Sequence, residues 1–270
     1  MPILKTEAII LRTIDYSETS QIAWLFTRDH GRVHVLAKGA RRPRSAFEGA
    51  LEPLARGELV FYRKKRSDGL EIAKEFDLLD LHRGLRRDLA RIHRGLYLAE
   101  LLTELSEREA VAPASFDAAS AALADLSRQE LSALDAILFR VELALLEDQG
   151  LGPRLDGCIA CLNRIGGEAR GGYNQPSSLE AVWFSARSGG LLCAEHARDD
   201  PTALKGTPGG MKTLLALSLG QQVGVGPEVG REIRAVLDRF LNEYLGKELR
   251  LRRHLGPLRA ASRARSHTRG

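Results

Sequence analysis

The chain has 270 residues, 44% hydrophobic and 28% charged, with 40 Lys and Arg against 35 Asp and Glu, for a formal net charge of +5. That is enough chain for one large domain or two to three small ones with a real core, and the composition excludes a disordered protein. The positive charge is uneven: Arg28 to Arg66 holds eleven cations against four carboxylates (Asp29, Glu48, Glu52, Glu58), and Lys247 to Gly270 holds eight against Glu248 alone.

Residues 1–80 alternate with a period of two. Apolar-rich runs at Thr6 to Thr13, Ser20 to Thr27, Arg32 to Ala37, Leu59 to Tyr62 and Leu70 to Phe76 predict five short strands. Asp29-His30-Gly31 and Ser67-Asp68-Gly69 predict turns. Five strands so close in sequence suit a small barrel, of which the oligonucleotide-binding (OB) fold is the first candidate and an SH3-like barrel the second. Alternation predicts Trp24 and Phe61 as core, with Phe47 and Tyr62 better placed for exposure beside Tyr16.

Between the third and fourth strands lies Lys38-Gly39-Ala40-Arg41-Arg42-Pro43-Arg44-Ser45-Ala46-Phe47. Like charges repel, so four cations in seven residues mark either a solvated loop or a contact for an anion, phosphate being the commonest. Gly39 permits an unusual backbone angle, and Pro43 restricts both itself and Arg42. A second cluster, Arg63-Lys64-Lys65-Arg66, sits at the next turn. Two cationic turns separated by strands can lie along one groove that tracks a single strand.

From residue 81 the period becomes helical, with Leu81, Leu85, Leu89, Ile92 and Leu96 on one stripe. Arg83, Arg86, Arg87, Arg91 and Arg94 form its polar face, which is either solvated or a secondary contact for DNA or an acidic tail. His82 and His93 read as helix-surface residues. Further helices are predicted from Pro113 or Ser115 to Leu126, from Gln129 to Gln149, near Met211 to Gln222, and from Pro227 to about Gly246. The basic end, Ala260 to Gly270, is expected to be disordered.

Paired glycines interrupt the helical pattern between residues 150 and 200, and all three cysteines fall there. Cys158-Ile-Ala-Cys161 and Cys193-Ala-Glu-His196 supply three thiolates and an imidazole, a tetrahedral set suited to Zn²⁺. Four protein ligands leave no open position for water, so such a metal is structural. The alternative is that Cys193 is a small buried hydrophobe and Cys161 idle.

No G-x-x-x-x-G-K-[ST] phosphate loop, nucleophile elbow, H-E-x-x-H or carboxylate cluster is present, so an enzyme is not expected. No run approaches a transmembrane span, and the first residues lack a signal-peptide layout, so a cytoplasmic protein is expected.

The motif Ala37-Lys38-Gly39-Ala40-Arg41-Arg42-Pro43, followed by Leu51-Glu52-Pro53 and Gly57-Glu58-Leu59, resembles the RecO family of bacterial recombination mediators. Tyr244 to Arg250 with Arg252-Arg253 is similar to the family's final helix. Many members have four cysteines in the insert, where this chain has His196 at the fourth place. The resemblance implies an α+β protein with an N-terminal five-stranded OB-fold barrel (1–80) and an all-helical domain (81–150 and 205–250). It further implies a zinc-ribbon-like insertion (151–204), with a basic tail (251–270) left over. It implies binding of single- and double-stranded DNA in the nucleoid and annealing of complementary strands. The implied partners are RecR, the acidic C-terminal tail of single-stranded-DNA-binding protein, and functionally RecA.

The residues supply their own reason for this expectation. Lys38, Arg41, Arg42, Arg44, Arg63, Lys64, Lys65 and Arg66 can neutralise phosphates without reading bases, as annealing of arbitrary sequence requires. Two rivals remain: a zinc-bearing adaptor for RNA or an acidic protein, and an unrecognised phosphodiester enzyme.

Overall fold

The computed structural model describes residues 2–47, 49–63, 69–108, 110–162 and 182–256. Five strands, β1 (Ile3–Asp15), β2 (Gln21–Thr27), β3 (Gly31–Ala37), β4 (Arg56–Tyr62) and β5 (Glu71–Asp80), occupy the five runs expected from alternation. Their order around the sheet is β1-β2-β3-β5-β4, with β4 returning to pair with β1. The ring closes through a short parallel seam of three residue pairs, from Val35–Glu71 to Ala37–Ala73. This arrangement is consistent with the OB fold.

Alternation gives the barrel two apolar surfaces. Ala23, Leu25, Val33, Val35, Leu59 and Phe61 point inward and form its own core. Ile9, Leu11 and Phe26 point outward and join the helices in a second, larger core. Trp24 departs from its expected core position. The inward residues of β2 are Ala23 and Leu25, so Trp24 lies half-exposed on the outer face, stacked on His34 at 5.0 Å with the Arg12 guanidinium 4.8 Å from its ring. Phe47 departs the other way: it is buried in the barrel core, where a phenyl ring is worth about 1.5–3 kcal/mol. Tyr62, out of phase with the buried Phe61, is half-buried.

The helices are α1 (Leu89–Leu105), α2 (Pro113–Arg128), α3 (Leu134–Asp148), α4 (Pro208–Ser218) and α5 (Pro227–Leu245). The helix expected from residue 81 is broken. Arg83–Arg87 form a 3-10 turn, Asp88 is extended, and its carboxylate accepts from the Arg91 N–H at 2.9 Å to start α1 afresh. Leu89 therefore sits at the first helical position and is 72% exposed. His82 is no helix-surface residue: it is buried ahead of the turn, with Nδ1 donating to the Leu54 carbonyl at 2.8 Å. Its pKa is lowered by burial, against the opposing pull of that hydrogen bond.

The barrel and helices meet across a shared interface. Phe26 packs on Phe116 with ring centroids 6.1 Å apart, and Arg56 donates to the Ser120 hydroxyl at 2.8 Å. Gly31 has φ +62, and a Cβ there would stand 2.5 Å from the Ala110 carbonyl oxygen, so only glycine admits this approach.

The insert forms a four-stranded sheet from β6 (Arg154–Cys158), β7 (Val182–Ser185), β8 (Gly190–Leu192) and β9 (Leu204–Gly206), in the order β6-β8-β7-β9. Val182, Phe184 and Leu191 belong to the helical core, and Phe184 meets Phe240 of α5 edge-on at 5.7 Å. The insert is thus built into the helical core, and its sheet continues to Gly206. Beyond α5, Leu249 is buried, and the backbone N–H groups of Arg250 and Leu251 both donate to the Glu100 carboxylate at 2.8 Å. The expected turn at Ser67-Asp68 and the end from Ala260 lie outside the described residues. Among the described residues, no helix is long and apolar enough to cross a membrane.

Candidate nucleic-acid interface and metal centre

The basic loop leaves β3 at Ala37 with Lys38, Arg41, Arg42 and Arg44 all exposed. Its backbone is fixed from within. Gly39 adopts φ +70, the Arg42 N–H donates back to the Gly39 carbonyl at 3.0 Å, and the Ser45 hydroxyl donates to the Ala40 carbonyl at 3.0 Å. Phe47 then pins the far end of the loop into the barrel core. Burying the aromatic and exposing the cations is what one short stretch needs in order to hold charge at a set position.

The loop is also tied to the β1–β2 turn. The Arg41 N–H donates to the Thr19 carbonyl at 3.0 Å, and the Gly39 N–H to the Ser20 hydroxyl at 3.3 Å. The Arg41 guanidinium pairs with Asp15 at 3.0 Å, with both side chains about half-exposed. Tyr16, the residue after Asp15, is 62% exposed.

Of the second cationic segment, Arg63 is placed by strand β4. Strand β4 runs antiparallel to β1, so Tyr62 pairs with Ile3 and the Arg63 N–H donates to the Pro2 carbonyl at 3.0 Å. That is the opposite end of β1 from Asp15. Across β5 the two segments are closer, because Ala37 at the start of the loop and Phe61, two residues before Arg63, both pair with Ala73. Lys64, Lys65 and Arg66 lie outside the described residues.

The arginines after the barrel divide. Arg83, Arg86 and Arg87 are exposed on the 3-10 turn, although Arg86 is engaged with Glu52 at 2.7 Å. Arg91 and Arg94 are turned inward, contrary to the expected polar face. Arg91 donates to Asp88 and to the Leu126 carbonyl at 2.7 Å, and Arg94, 1% exposed, donates to Asp135 at 2.5 Å. The fresh helix start at Asp88 causes this, because it sets the facing of α1 independently of the residues before it.

The four expected metal ligands converge. Cys158 ends β6, Cys161 lies in the following turn, Cys193 follows β8, and His196 opens a 3-10 turn, with all four ligand atoms within 4.8 Å of one another. Cys161 Sγ lies 4.0 Å from Cys193 Sγ, and His196 Nδ1 lies 3.7 Å from Cys158 Sγ and 3.1 Å from Cys193 Sγ. Zn–S and Zn–N bonds of about 2.3 and 2.0 Å in a tetrahedron require separations of about 3.5–3.8 Å, which the observed ones bracket, so the four residues could hold a metal ion and their chemistry is consistent with zinc. Burial pushes the Cys158 thiol up, but the N–H groups of Cys161, Cys193 and Ala160 around the sulfur outweigh it and bring the pKa to about 6. Cys193 is lowered in the same way, against burial, by the N–H of His196 and its ring. Such sulfurs favour the thiolate a metal needs.

Sequence reasoning missed a cleft between α3, α5 and the C-terminal segment. It encloses about 1100 Å³, with Leu131, Phe139 and Leu249 among its apolar walls and Arg231, Arg250 and Arg253 among its cations. The basic run at Arg250 to Arg253 was the one available signal, but a linear reading could not fold it back against α3.

Residues 1–82 match the family described as Recombination protein O N terminal, and residues 86–253 match Recombination protein O C terminal. The chain belongs to the RecO family. Similar relatives, each named DNA repair protein RecO, agree with this. That of Exiguobacterium sibiricum is 32% identical over 260 residues, covering 94% of this chain and 96% of its own. That of an Anaeromyxobacter strain is 35% identical over 272 residues, covering 94% and 97%, and that of Bacillus subtilis is 29% identical over 256, covering 93% of each. Membership of the RecO family makes this a DNA repair protein of the recombination-mediator kind.

Proposed function

We propose that this chain binds single- and double-stranded DNA through its barrel without catalysing a reaction, anneals complementary strands, and helps RecA load onto strands coated by single-stranded-DNA-binding protein. The observation that carries this reading is the exposed loop of Lys38, Arg41, Arg42 and Arg44 anchored at its far end by the buried Phe47. Cations fixed on a barrel can hold phosphates of any sequence, and annealing needs that indifference. Arg63, with Lys64, Lys65 and Arg66 next to it in sequence, extends the contact. Membership of the RecO family supports a role in the nucleoid with RecR as partner.

Zn²⁺ held by Cys158, Cys161, Cys193 and His196 would act as a structural tie within a zinc-ribbon-like insert, since all four positions come from protein. The acidic tail of single-stranded-DNA-binding protein requires cations beside an apolar surface. The cleft of Phe139, Leu249, Arg231 and Arg250 meets that requirement better than the first-helix arginines, because Arg91 is buried and Arg86 is engaged.

The test is to mix the purified chain with labelled complementary strands, without ATP and with or without Mg²⁺. Annealing accelerated several-fold with no cleavage is expected. Cleavage of either strand, or annealing at the rate of protein-free strands, overturns the reading.

A further inference from the structure

The β1–β2 turn and the basic loop are one structure joined by three contacts: Arg41 N–H to Thr19 carbonyl, Gly39 N–H to Ser20 hydroxyl, and the Arg41–Asp15 ion pair. Two features of that turn are unexplained by the fold. Asp15 places a carboxylate, itself an anion with two oxygens, on the guanidinium that the loop presents. Tyr16 holds an aromatic ring 62% exposed, although burying it would contribute to stability. An exposed pair at 3.0 Å with both partners about half in solvent contributes about 0–1 kcal/mol, so stability does not explain Asp15 either.

We infer that Asp15 and Tyr16 are part of the nucleic-acid site. Asp15 occupies Arg41 in the free protein as a stand-in for phosphate. A bound single strand displaces it, places a phosphate on Arg41, and stacks a base on the Tyr16 ring. Phosphate succeeds because it also meets Lys38 and Arg42, whereas Asp15 reaches Arg41 from its own strand. The carboxylate remains held by Gln21, whose Nε2 donates to Asp15 Oδ1 at 3.1 Å, so the acid has a second partner to fall back on. The arrangement holds Arg41 in a defined pose and disfavours weak anions, which cannot match several cations at once. Stacking on tyrosine adds affinity without choosing a sequence, because every base has a π-face.

This inference rests on the DNA-binding reading above, and the experiment separates the two. The full-length chain is titrated with a fluorescent oligo-dT strand and with a strand of the same length whose central residues are abasic, over a series of salt concentrations. The variants are Tyr16→Ala, Tyr16→Phe, Asp15→Asn and Arg41→Ala. Tyr16→Ala is expected to weaken oligo-dT binding by about five- to 150-fold, the range for loss of one stacked base. Tyr16→Phe is expected to bind as the parent, and the abasic strand to be indifferent to both changes. Asp15→Asn, which keeps the bond from Gln21, is expected to tighten binding several-fold, because the strand no longer has to displace a carboxylate from Arg41. Arg41→Ala is expected to abolish the effect of Asp15→Asn. If the parent chain binds neither strand, the DNA-binding reading and this inference both fail. If the parent binds but Tyr16→Ala weakens both strands equally or neither, or Asp15→Asn leaves affinity unchanged or lower, the inference alone is overturned.

Discussion

Arg28 of the barrel and Asp117 of α2 form two parallel hydrogen bonds, Nη1 to Oδ1 at 2.6 Å and Nη2 to Oδ2 at 2.9 Å. Both side chains are substantially exposed, so water competes for each partner and screens the pair. Phe26 and Phe116, close to this pair in sequence, are almost fully buried. Apolar burial should therefore hold the two parts together, with the fork setting their orientation. Asp117→Ala is expected to cost no more than about 1 kcal/mol in urea unfolding. Phe116→Ala should cost about 3–5 kcal/mol. Equal losses from the two changes would show that the ion pair carries the interface.

Phe47 offers a separate test of how the basic loop is held. Phe47→Ala is expected to destabilise the barrel by about 3–5 kcal/mol, and Phe47→Leu by less than about 1.5. Below the unfolding transition, Phe47→Ala should also lose DNA affinity through a mobile loop, although it removes no charge. Unchanged affinity in folded Phe47→Ala would mean that the loop needs no anchor.

The half-buried His34 and the buried His82 make stability depend on pH. Burial, aided by Arg108 and Arg32, lowers His34 from its ordinary 6.5 to about 4, and burial lowers His82 as well. Between about pH 4 and 6.5 the unfolded chain then binds protons that the native state refuses, so stability from these groups is complete above pH 6.5 and is lost as pH falls. The urea midpoint should drop between pH 7 and 5, and His34→Gln should flatten that drop. An equal slope in His34→Gln would remove His34 as the cause.

The ionic core of the helical domain is the most sensitive place to mutate. Glu142, with no exposed surface, accepts from Arg234 Nη1 at 2.8 and 3.1 Å, and the same guanidinium lies 4.6 Å from the Phe139 ring centroid. Glu142→Ala leaves the buried Arg234 with only the longer pair to Asp238 at 3.5 Å, among the described residues, and should cost up to about 3–5 kcal/mol. Replacing both residues with apolar ones of similar volume should recover most of that loss. A double variant no more stable than Glu142→Ala would argue against desolvation as the dominant cost.

The metal centre is tested by content and by order. Elemental analysis of chelator-washed protein should find about one zinc per chain, with His196→Cys retaining it and Cys158→Ser losing it. Hydrogen exchange of β6 and β8 should quicken in the Cys158→Ser protein. A zinc-free parent with fully protected strands would reduce the four residues to packing.

The strands and the cluster of Cys158, Cys161, Cys193 and His196 were legible because each depends on local spacing. Alternation over seven residues identifies a strand, and C-x2-C with C-x2-H brings donors together across one turn. Phase was less legible. Ile22, Trp24 and Phe26 alternate as regularly as Ala23 and Leu25, and only the closure of the ring decides which set faces inward. Phe47 could not be assigned because its burial depends on the barrel's end and not on any period. Arg91 and Arg94 failed for a similar reason: Asp88 restarts the helix, and the partners Leu126 and Asp135 are 35 and 41 residues away. The cleft was invisible because its walls come from α3, α5 and the segment after α5.

The docking of the chain's last described turn bears on how the protein is made. Glu100 in α1 receives its two backbone donors from Arg250 and Leu251, 150 and 151 residues later. A nascent chain can assemble the barrel once its first eighty residues have left the ribosome, yet α1 must wait for nearly the whole remainder. Over that interval its leucine face is covered by the outer face of β1 and by α2 and α3, without the C-terminal segment. We predict that stalled chains ending before Leu249 show a protease-resistant barrel joined to a sensitive helical region. Equal resistance of both regions would refute that order of events. Synthesis, on this view, delivers a finished barrel well before the helical half is complete.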